Sequence, residues 1–111
     1  MPLYYHSEII TGVANQRTYG DGLTSTEAEK KRIKKVIVTT SARQGNYLEF
    51  WVEREKRGLI VDYNLPLATD TFRYPLEFDF ELETGRTFKP ALVCGGTATN
   101  VYITYVYEIV A

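Results

Sequence analysis

Hydrophobic and polar residues alternate along much of the chain with a period of two, which is typical of β-strands that bury one face. The clearest case is segment 76–83, LEFDFELE, in which apolar residues and carboxylates take turns. Because successive side chains of a strand point to opposite faces, we predict that the apolar row enters a core. The acidic row, which includes Glu77 and Glu81, then lies on the other face.

Further segments show this alternation or the β-branched residues that favour strands. Pro90 interrupts one of them, and since proline cannot donate to a ladder hydrogen bond, we expect that strand at an edge or at a bulge. A short turn is expected around residues 27–31, because this segment lacks the apolar stripe of a long helix. The other predicted strands are 32–41, 46–52, 58–67, 87–94 and 99–111.

Short strands separated by hairpin turns, with almost no helix, are the pattern of an antiparallel sandwich or barrel. We therefore predict an all-β protein, an antiparallel β-sandwich in a single domain over residues 1–111. Residues 1–26 alternate poorly and contain several turn residues, so they are predicted as an extended N-terminal arm or loop region. Within that region, residues 4–13 could form one strand.

Composition narrows the range of partners. The 111 residues include 13 basic and 14 acidic side chains, so no overall field recruits nucleic acid or an anionic membrane. No apolar run approaches the roughly 20 residues that span a bilayer. We therefore expect no membrane partner and no general affinity for nucleic acid. One alternative stays open, in which the basic run 30–35 lines the inside of a nucleic-acid container.

The acidic row invites comparison with a metal or catalytic site. Neighbouring carboxylates of such a row lie about 6.5–7 Å apart, which is too far for the clustered oxygens that calcium requires. Like charges on one face repel unless cations on a neighbouring strand oppose them. We therefore predict that Glu77 and Glu81 pair with basic residues of a neighbouring strand, within one chain or between subunits. The basic run 30–35, which includes Lys34 and Lys35, or the group Arg54, Lys56 and Arg57 could supply these cations.

Aromatic residues supply the candidates for contact with another molecule. Trp51 falls on the strand face opposite Leu48 and Phe50, so it is either covered by other parts of the chain or available as an interface anchor or sugar platform. The last strand is apolar on both faces, which favours contact with a partner. The interface candidates on these grounds are Trp51, Tyr102, Val106 and, in the predicted arm, Tyr4 and Tyr5.

The remaining chemically active side chains give no catalytic or metal-binding pattern. His6 has no cysteine or carboxylate partner at zinc-ligand spacing. Cys94 precedes two glycines, but the segment matches neither a nucleophile elbow nor a phosphate-binding loop. We expect a buried cysteine at a strand end, and we predict neither a catalytic residue, a metal ligand nor a cofactor.

The C-terminal third, residues 75–110, resembles the closing strands of small β-sandwich structural proteins of viruses and phages. The resemblance implies a jelly-roll-like capsid, decoration or cement subunit that assembles through its sheet faces and N-terminal arm. It carries over no catalytic residues. The residues that show it are Phe80, Leu82, Gly85 and Thr87 in a hairpin, and Tyr105, Tyr107 and Glu108 in the last strand.

Three functions remain at this stage. The first is a non-enzymatic structural subunit of a homomeric assembly, located in a virion or other extracellular particle assembled in the host cytoplasm, with further copies or other coat subunits as partners. The second is a carbohydrate-binding, lectin-like module that uses Trp51 and surface tyrosines as stacking platforms. The third is an enzyme, for which the carboxylates of the acidic row would be the only candidate catalytic groups. Mass in solution discriminates best between the first two.

Overall fold

A computed structural model describes residues 2–70, 73 and 75–110 as two antiparallel β-sheets packed face to face. Strands account for 58% of the chain and helix for 3%, which confirms the predicted all-β antiparallel sandwich. Sheet A contains, in spatial order, β1 (Tyr4–Thr11), β9 (Asn100–Ile109), β4 (Lys31–Thr40) and β7 (Pro75–Glu81).

Sheet B has two inner strands, and one of them has two short strands as its neighbours on the outer side. A 3₁₀ turn, Asp62–Asn64, follows the edge strand of this sheet that ends at Val61. In spatial order the sheet contains β2 (Arg17–Tyr19), β8 (Thr87–Val93), β5 (Tyr47–Val52) and β6 (Glu55–Val61), while β3 (Leu23–Thr24) pairs with β8 beyond the end of β2.

Aromatic rings join the two sheets in the core. Phe88 of β8 stacks on Phe50 of β5 with ring centroids 5.6 Å apart, and it meets Tyr105 of β9 edge-on at 6.1 Å. Phe78 of β7 packs edge-on against both phenylalanines at 5.3 Å. Each large side chain that is fully removed from water contributes about 1.5–3 kcal/mol. This cluster therefore fixes how sheet A sits on sheet B.

The acidic segment forms β7, as its alternation predicts. Leu76, Phe78 and Phe80 pack against the core, and the intervening carboxylates face outward. The strand pairs with basic β4, and the register shifts between Ile33 and Lys35. Asp79 lies opposite this irregularity and has a φ of 93°, a backbone conformation that favours glycine. The edge of sheet A at β7 is therefore locally distorted.

The N-terminal region requires a correction. Residues 4–11 form a full strand of sheet A, paired with β9 from Tyr4–Tyr107 to Thr11–Asn100. Residues 17–19 and 23–24 pair with β8 in sheet B. The predicted strand in this region is confirmed, but the prediction of an extended arm is wrong for the described residues 2–26. The reason is long-range pairing with two C-terminal strands, which local alternation does not reveal.

The position of Pro90 also differs from expectation. Its strand, β8, is central in sheet B, with β5 on one side and β2 and β3 on the other. Gly20 donates its N–H to the Pro90 carbonyl, and in a strand the N–H and C=O of one residue point to the same side. The missing donor therefore faces the gap between β2 and β3, so its absence removes no ladder hydrogen bond among the described strands.

Two smaller differences concern turns. The connection between the predicted strands 46–52 and 58–67 is shorter than expected, because β5 ends at Val52 and β6 already begins at Glu55. Glu53 has a φ of 54°, which allows this two-residue connection. The segment before β4 is a turn and not a helix, as predicted, with the Thr26 hydroxyl accepting a hydrogen bond from the Glu29 N–H.

Candidate functional site

The four edges of the sandwich differ in how well they are protected against pairing with another strand. β2 is only three residues long, β6 carries a register shift and begins with charged residues, and β7 begins with a proline and is irregular at Asp79. Short length, charge, proline and bulges are the usual protective features of edge strands. Among the described edge strands, β1 is long and regular and has no lysine, arginine or proline.

Hydrogen bonding shows which β1 residues face the free edge. Gly12, just beyond the strand, donates its N–H to the Thr99 carbonyl at 3.0 Å. Because hydrogen-bonded and non-hydrogen-bonded pairs alternate in an antiparallel ladder, the even-numbered β1 residues bond to β9. The odd-numbered residues therefore direct their N–H and C=O groups away from the sheet. All four of their side chains, Tyr5, Ser7, Ile9 and Thr11, are exposed.

Glu8 fixes β1 to the rest of the sandwich. Its carboxylate accepts hydrogen bonds from the Tyr105 hydroxyl at 2.5 Å and from the N–H groups of Asp21 and Gly22 at 2.8 and 2.9 Å. The pKa of Tyr105 is raised far above its usual range, mainly because the hydroxyl is buried and secondly because it contacts Glu8. Tyr105 therefore remains a neutral donor, and β1 is attached to both sheets.

The aromatic candidates at this edge have different exposures. Tyr5 and Ile9 project from the outer face of sheet A, with 65% and 64% of their surface exposed. Tyr4 stacks on Tyr107 at 5.7 Å and is also exposed, whereas Tyr102, opposite Ile9, is half-buried. Tyr5, Ile9 and Tyr102 form an apolar strip along the outer face of β1 and the neighbouring part of β9. Tyr4 and Tyr107 lie on the opposite face, because side chains of a strand alternate between faces.

Val106 does not belong to this strip. It lies between Tyr5 of β1 and Lys35 of β4 in register, yet only 1% of its surface is exposed. The expectation that Val106 is available to a partner therefore requires correction, because the chain itself already covers it.

The charged candidates meet within one chain, on the outer face of sheet A. Asp79 accepts from Arg32 at 2.9 Å and from Lys34 at 3.0 Å, and these hydrogen bonds hold the pKa of Asp79 below its usual value. Glu81 lies 3.5 Å from Lys30 and 3.7 Å from Arg32. The prediction that acidic and basic strands are neighbours is confirmed, and the pairing is intramolecular.

Lys35 and Glu77, which belong to these two charged rows, lie opposite each other in the register of β4 and β7. Lys34 also approaches Glu108 of β9 at 3.7 Å. The charged rows thus set the order and register of three strands of sheet A.

On the outer face of sheet B, sequence alternation missed a buried carboxylate. Glu49 is 1% exposed and is surrounded by Arg17 at 3.0 Å, Lys56 at 2.9 Å and the indole N–H of Trp51 at 3.2 Å. Burial alone would raise the pKa of Glu49, but the hydrogen bonds from Lys56 and Trp51 and the charge of Arg17 outweigh it and lower that pKa. Glu49 is therefore held as a carboxylate.

Trp51 is half-buried, and it forms one wall of a shallow pocket of about 420 Å³. The Lys56 ammonium lies 5.3 Å from the centre of the indole ring, so one side of Trp51 is occupied within the chain. The lining of the pocket includes three cationic side chains, Arg17, Arg54 and Lys89. It also includes the rings of Tyr19 and Trp51 and the carboxylate of Glu53. Trp51 is thus partly covered and partly available.

A larger cavity of about 690 Å³ opens between the β5–β6 and β7–β8 hairpins. Its lining mixes glutamates and arginines, and the ring of Phe80 within it already lies 5.0 Å from the Arg57 guanidinium. No convergent set of acid, base and nucleophile is present among these lining residues. This cavity is therefore a weaker candidate for a functional site than the Trp51 pocket.

The residues expected to be inert are structural. Cys94 is buried at the end of β8, as predicted, and His6 stacks on Tyr105 at 6.1 Å. Within residues 2–70, 73 and 75–110, no group of three His, Cys, Asp or Glu side chains could hold a metal ion. Within the same residues, no helix has the length and apolarity to cross a membrane.

Two of the polar residues that matter here could not be singled out from the sequence. Glu49 is buried through contacts with Arg17 of a distant strand, and Glu8 bonds to a tyrosine 97 residues away. The one usable signal is that Glu49 and Trp51 stand two positions apart and so share a strand face.

Comparison of this chain with family models, with curated proteins and with solved structures found no match.

Proposed function

We propose that this protein is a non-enzymatic structural subunit of a homomeric assembly, of the kind that forms or decorates a virus or phage particle. The observation that carries the proposal is the unprotected edge of β1, an eight-residue strand with exposed odd-numbered side chains. Such an edge is a template for another strand, and a protein that remains alone in solution usually blocks it. Here β7, β6 and β2 are blocked and β1 is open.

The strand order supports the same proposal. With β3 set aside, the first strand pairs with the last, and the remaining strands pair inward as β2 with β8, β4 with β7 and β5 with β6. A jelly roll, which is one long hairpin wrapped into two sheets, would have this nested pairing, so the proposal includes a jelly-roll topology. Jelly rolls occur in viral capsid proteins and in lectins, so the fold is compatible with both leading functions.

The contacts within the chain also limit how assembly would occur. Glu81 and Lys34 already have intramolecular partners, so their charges are not needed to attract another subunit. The apolar strip with Tyr5 and Ile9 has no such partner within the described residues. The proposal therefore places the main contact at β1, with further copies or other coat subunits as partners, in a virion or other particle assembled in the host cytoplasm.

The test of this function is the mass of the full chain in solution, measured by light scattering or sedimentation over a range of concentrations. A defined oligomer larger than one chain is expected. A monomer at every concentration, in the absence of other coat components, would contradict a homomeric assembly.

A second function, binding of carbohydrate, is supported by the Trp51 pocket. Aromatic rings stack on sugar faces, and the cations Arg17, Arg54 and Lys89 favour a saccharide that carries carboxylate or sulfate groups. Titration with a sulfated oligosaccharide should then show saturable binding that Trp51→Ala abolishes. Tyr63→Ala, which alters an exposed tyrosine outside the pocket, should leave the affinity unchanged. Equal affinity of both variants would contradict a role for the pocket.

A further inference from the structure

We infer that two copies of this chain pair β1 with β1 in antiparallel fashion around a two-fold axis that passes beside Ser7, so that sheet A continues from one copy into the other. This inference rests on the proposed homomeric assembly and names its first contact. The occupant of the open edge is thus a second copy of the same chain.

The direction of the backbone groups makes β1 suitable for such a contact. The odd-numbered residues of β1 point their N–H and C=O groups to the free edge, as the bond from Gly12 to Thr99 establishes. An antiparallel copy presents the same groups in the opposite direction. A two-fold contact is therefore self-complementary at the level of the backbone, which an isologous interface requires.

The side chains select one register among those that a two-fold axis allows. With the axis at Ser7, Tyr5 of one copy opposes Ile9 of the other, and His6 opposes Glu8. The first pair joins an aromatic to a β-branched side chain, a favourable combination across strands. In the second pair the Glu8 carboxylate keeps its bonds to Tyr105, Asp21 and Gly22. Tyr5 and Ile9 are also the two most exposed apolar residues of β1.

The neighbouring registers are worse. An axis at Glu8 places the two Glu8 carboxylates directly opposite each other, and like charges in that position are destabilising. An axis at His6 opposes the two His6 rings and places Tyr5 against Ser7, which leaves Ile9 outside the central pairs. Only the Ser7 register among these three combines the apolar match with an absence of repulsion.

The anchoring of β1 favours pairing of ordered strands over a swap of strands. Glu8 attaches β1 to Tyr105 and to the turn at Asp21, and the Ser7 hydroxyl lies 2.8 Å from the Thr104 hydroxyl. The edge is thus already in place before a partner arrives, and association does not have to order it. Less conformational entropy is lost on binding to a preformed edge.

Cysteine cross-linking tests the register. In the Ser7 register the two Ser7 Cα atoms are about 5.5 Å apart, within the range that a disulfide spans. Ser7→Cys should therefore form a covalent dimer with itself under mild oxidation. Tyr5→Cys and Ile9→Cys should each fail to do so alone, because their copies lie roughly 13 Å apart, but an equal mixture of the two should cross-link. Cys94 is buried and does not compete.

The outcomes separate this inference from the function on which it rests. Circular dichroism first establishes that each variant is folded. If Ser7→Cys does not fold, the mixture of Tyr5→Cys and Ile9→Cys still tests the register. An oligomer by mass in which the expected cross-links do not form, or in which Ile9→Cys cross-links with itself, overturns the Ser7 register but not the assembly. A wild-type protein that is monomeric at every concentration overturns both.

Discussion

The Tyr105 hydroxyl donates a 2.5 Å hydrogen bond to the Glu8 carboxylate, and this contact joins the first strand of the chain to the last. The same carboxylate accepts from two N–H groups of the turn that precedes β3. One side chain thus attaches the edge of sheet A to sheet B. This attachment explains why the N-terminal region is part of the sandwich and why β1 is an ordered edge.

Tyr105→Phe tests this attachment. The substitution keeps the buried ring and removes one hydrogen bond to a charged acceptor, a loss of about 1.5–3 kcal/mol in the free energy of unfolding. Hydrogen exchange of β1 amides should also become faster, because the strand opens more readily. Tyr102→Phe, on the outer face of β9, is the control and should change both quantities little. Unchanged exchange in β1 for Tyr105→Phe would show that Glu8 does not hold the edge.

Glu49 gives a prediction for pH. Because its folded-state pKa lies below the usual 4.5, it adds stability that is fully present above the unfolded pKa and is lost as pH falls through the folded pKa. Glu49→Gln should therefore be less stable than wild type near neutral pH, by about 1–3 kcal/mol, and this difference should shrink as pH falls below about 4. Chemical denaturation at several pH values measures it.

The matched control for Glu49 is Glu55→Gln on the next strand, whose carboxylate is 69% exposed and pairs with Arg57. Its effect should be small at every pH, since exposed ion pairs contribute little. If both variants behave alike, the cluster of cations around Glu49 has no special role in stability.

Asp79 tests the intramolecular pairing of the charged rows. The hydrogen bonds from Arg32 and Lys34 hold its pKa below the usual 3.8. Arg32→Gln removes the larger of these contributions, so the pKa of Asp79 should rise toward that value in an NMR titration of the carboxyl carbon. Arg54→Gln, in the turn between β5 and β6, should leave the titration unchanged. A pKa of Asp79 that does not respond to Arg32→Gln would contradict the observed pairing.

Trp51 reports on the charge of its pocket through its fluorescence, because it is the only tryptophan of the chain. Lys56 lies over its ring, and Arg17, Arg54 and Lys89 line the adjacent space. The positive potential should make iodide a better quencher than caesium. Lys89→Glu should reduce that preference, whereas Lys35→Glu on sheet A should not. Equal quenching by both ions in wild type would argue against a cationic pocket.

Local alternation was sufficient to place most strands. The predicted strand 32–41 is observed as Lys31–Thr40, and the predicted strand 99–111 as Asn100–Ile109. The acidic row and its basic neighbour were also predicted correctly, because a strand with four like charges requires cations beside it. These features depend on residues close in sequence or on charge alone.

Features that depend on distant pairing were not predictable. The pairing of residues 4–11 with β9 joins the two ends of the chain, and Pro90 is tolerated in a central strand only because β2 and β3 leave a gap beside it. Val106 was assigned to a free face, although its neighbours on β1 and β4 cover it. Each of these outcomes requires knowledge of which strands lie side by side, and a single sequence does not contain that in its local pattern.

The most direct test of assembly through β1 is the solution mass of Ile9→Lys compared with wild type. A lysine at this exposed position keeps the fold but places a charge on the open edge, which opposes strand pairing. Leu59→Lys, at an exposed position of edge strand β6, is the control. We expect wild type and Leu59→Lys to have the same oligomeric mass and Ile9→Lys to have the mass of one chain. An oligomer that survives Ile9→Lys unchanged, or a monomeric wild type, would contradict assembly through β1.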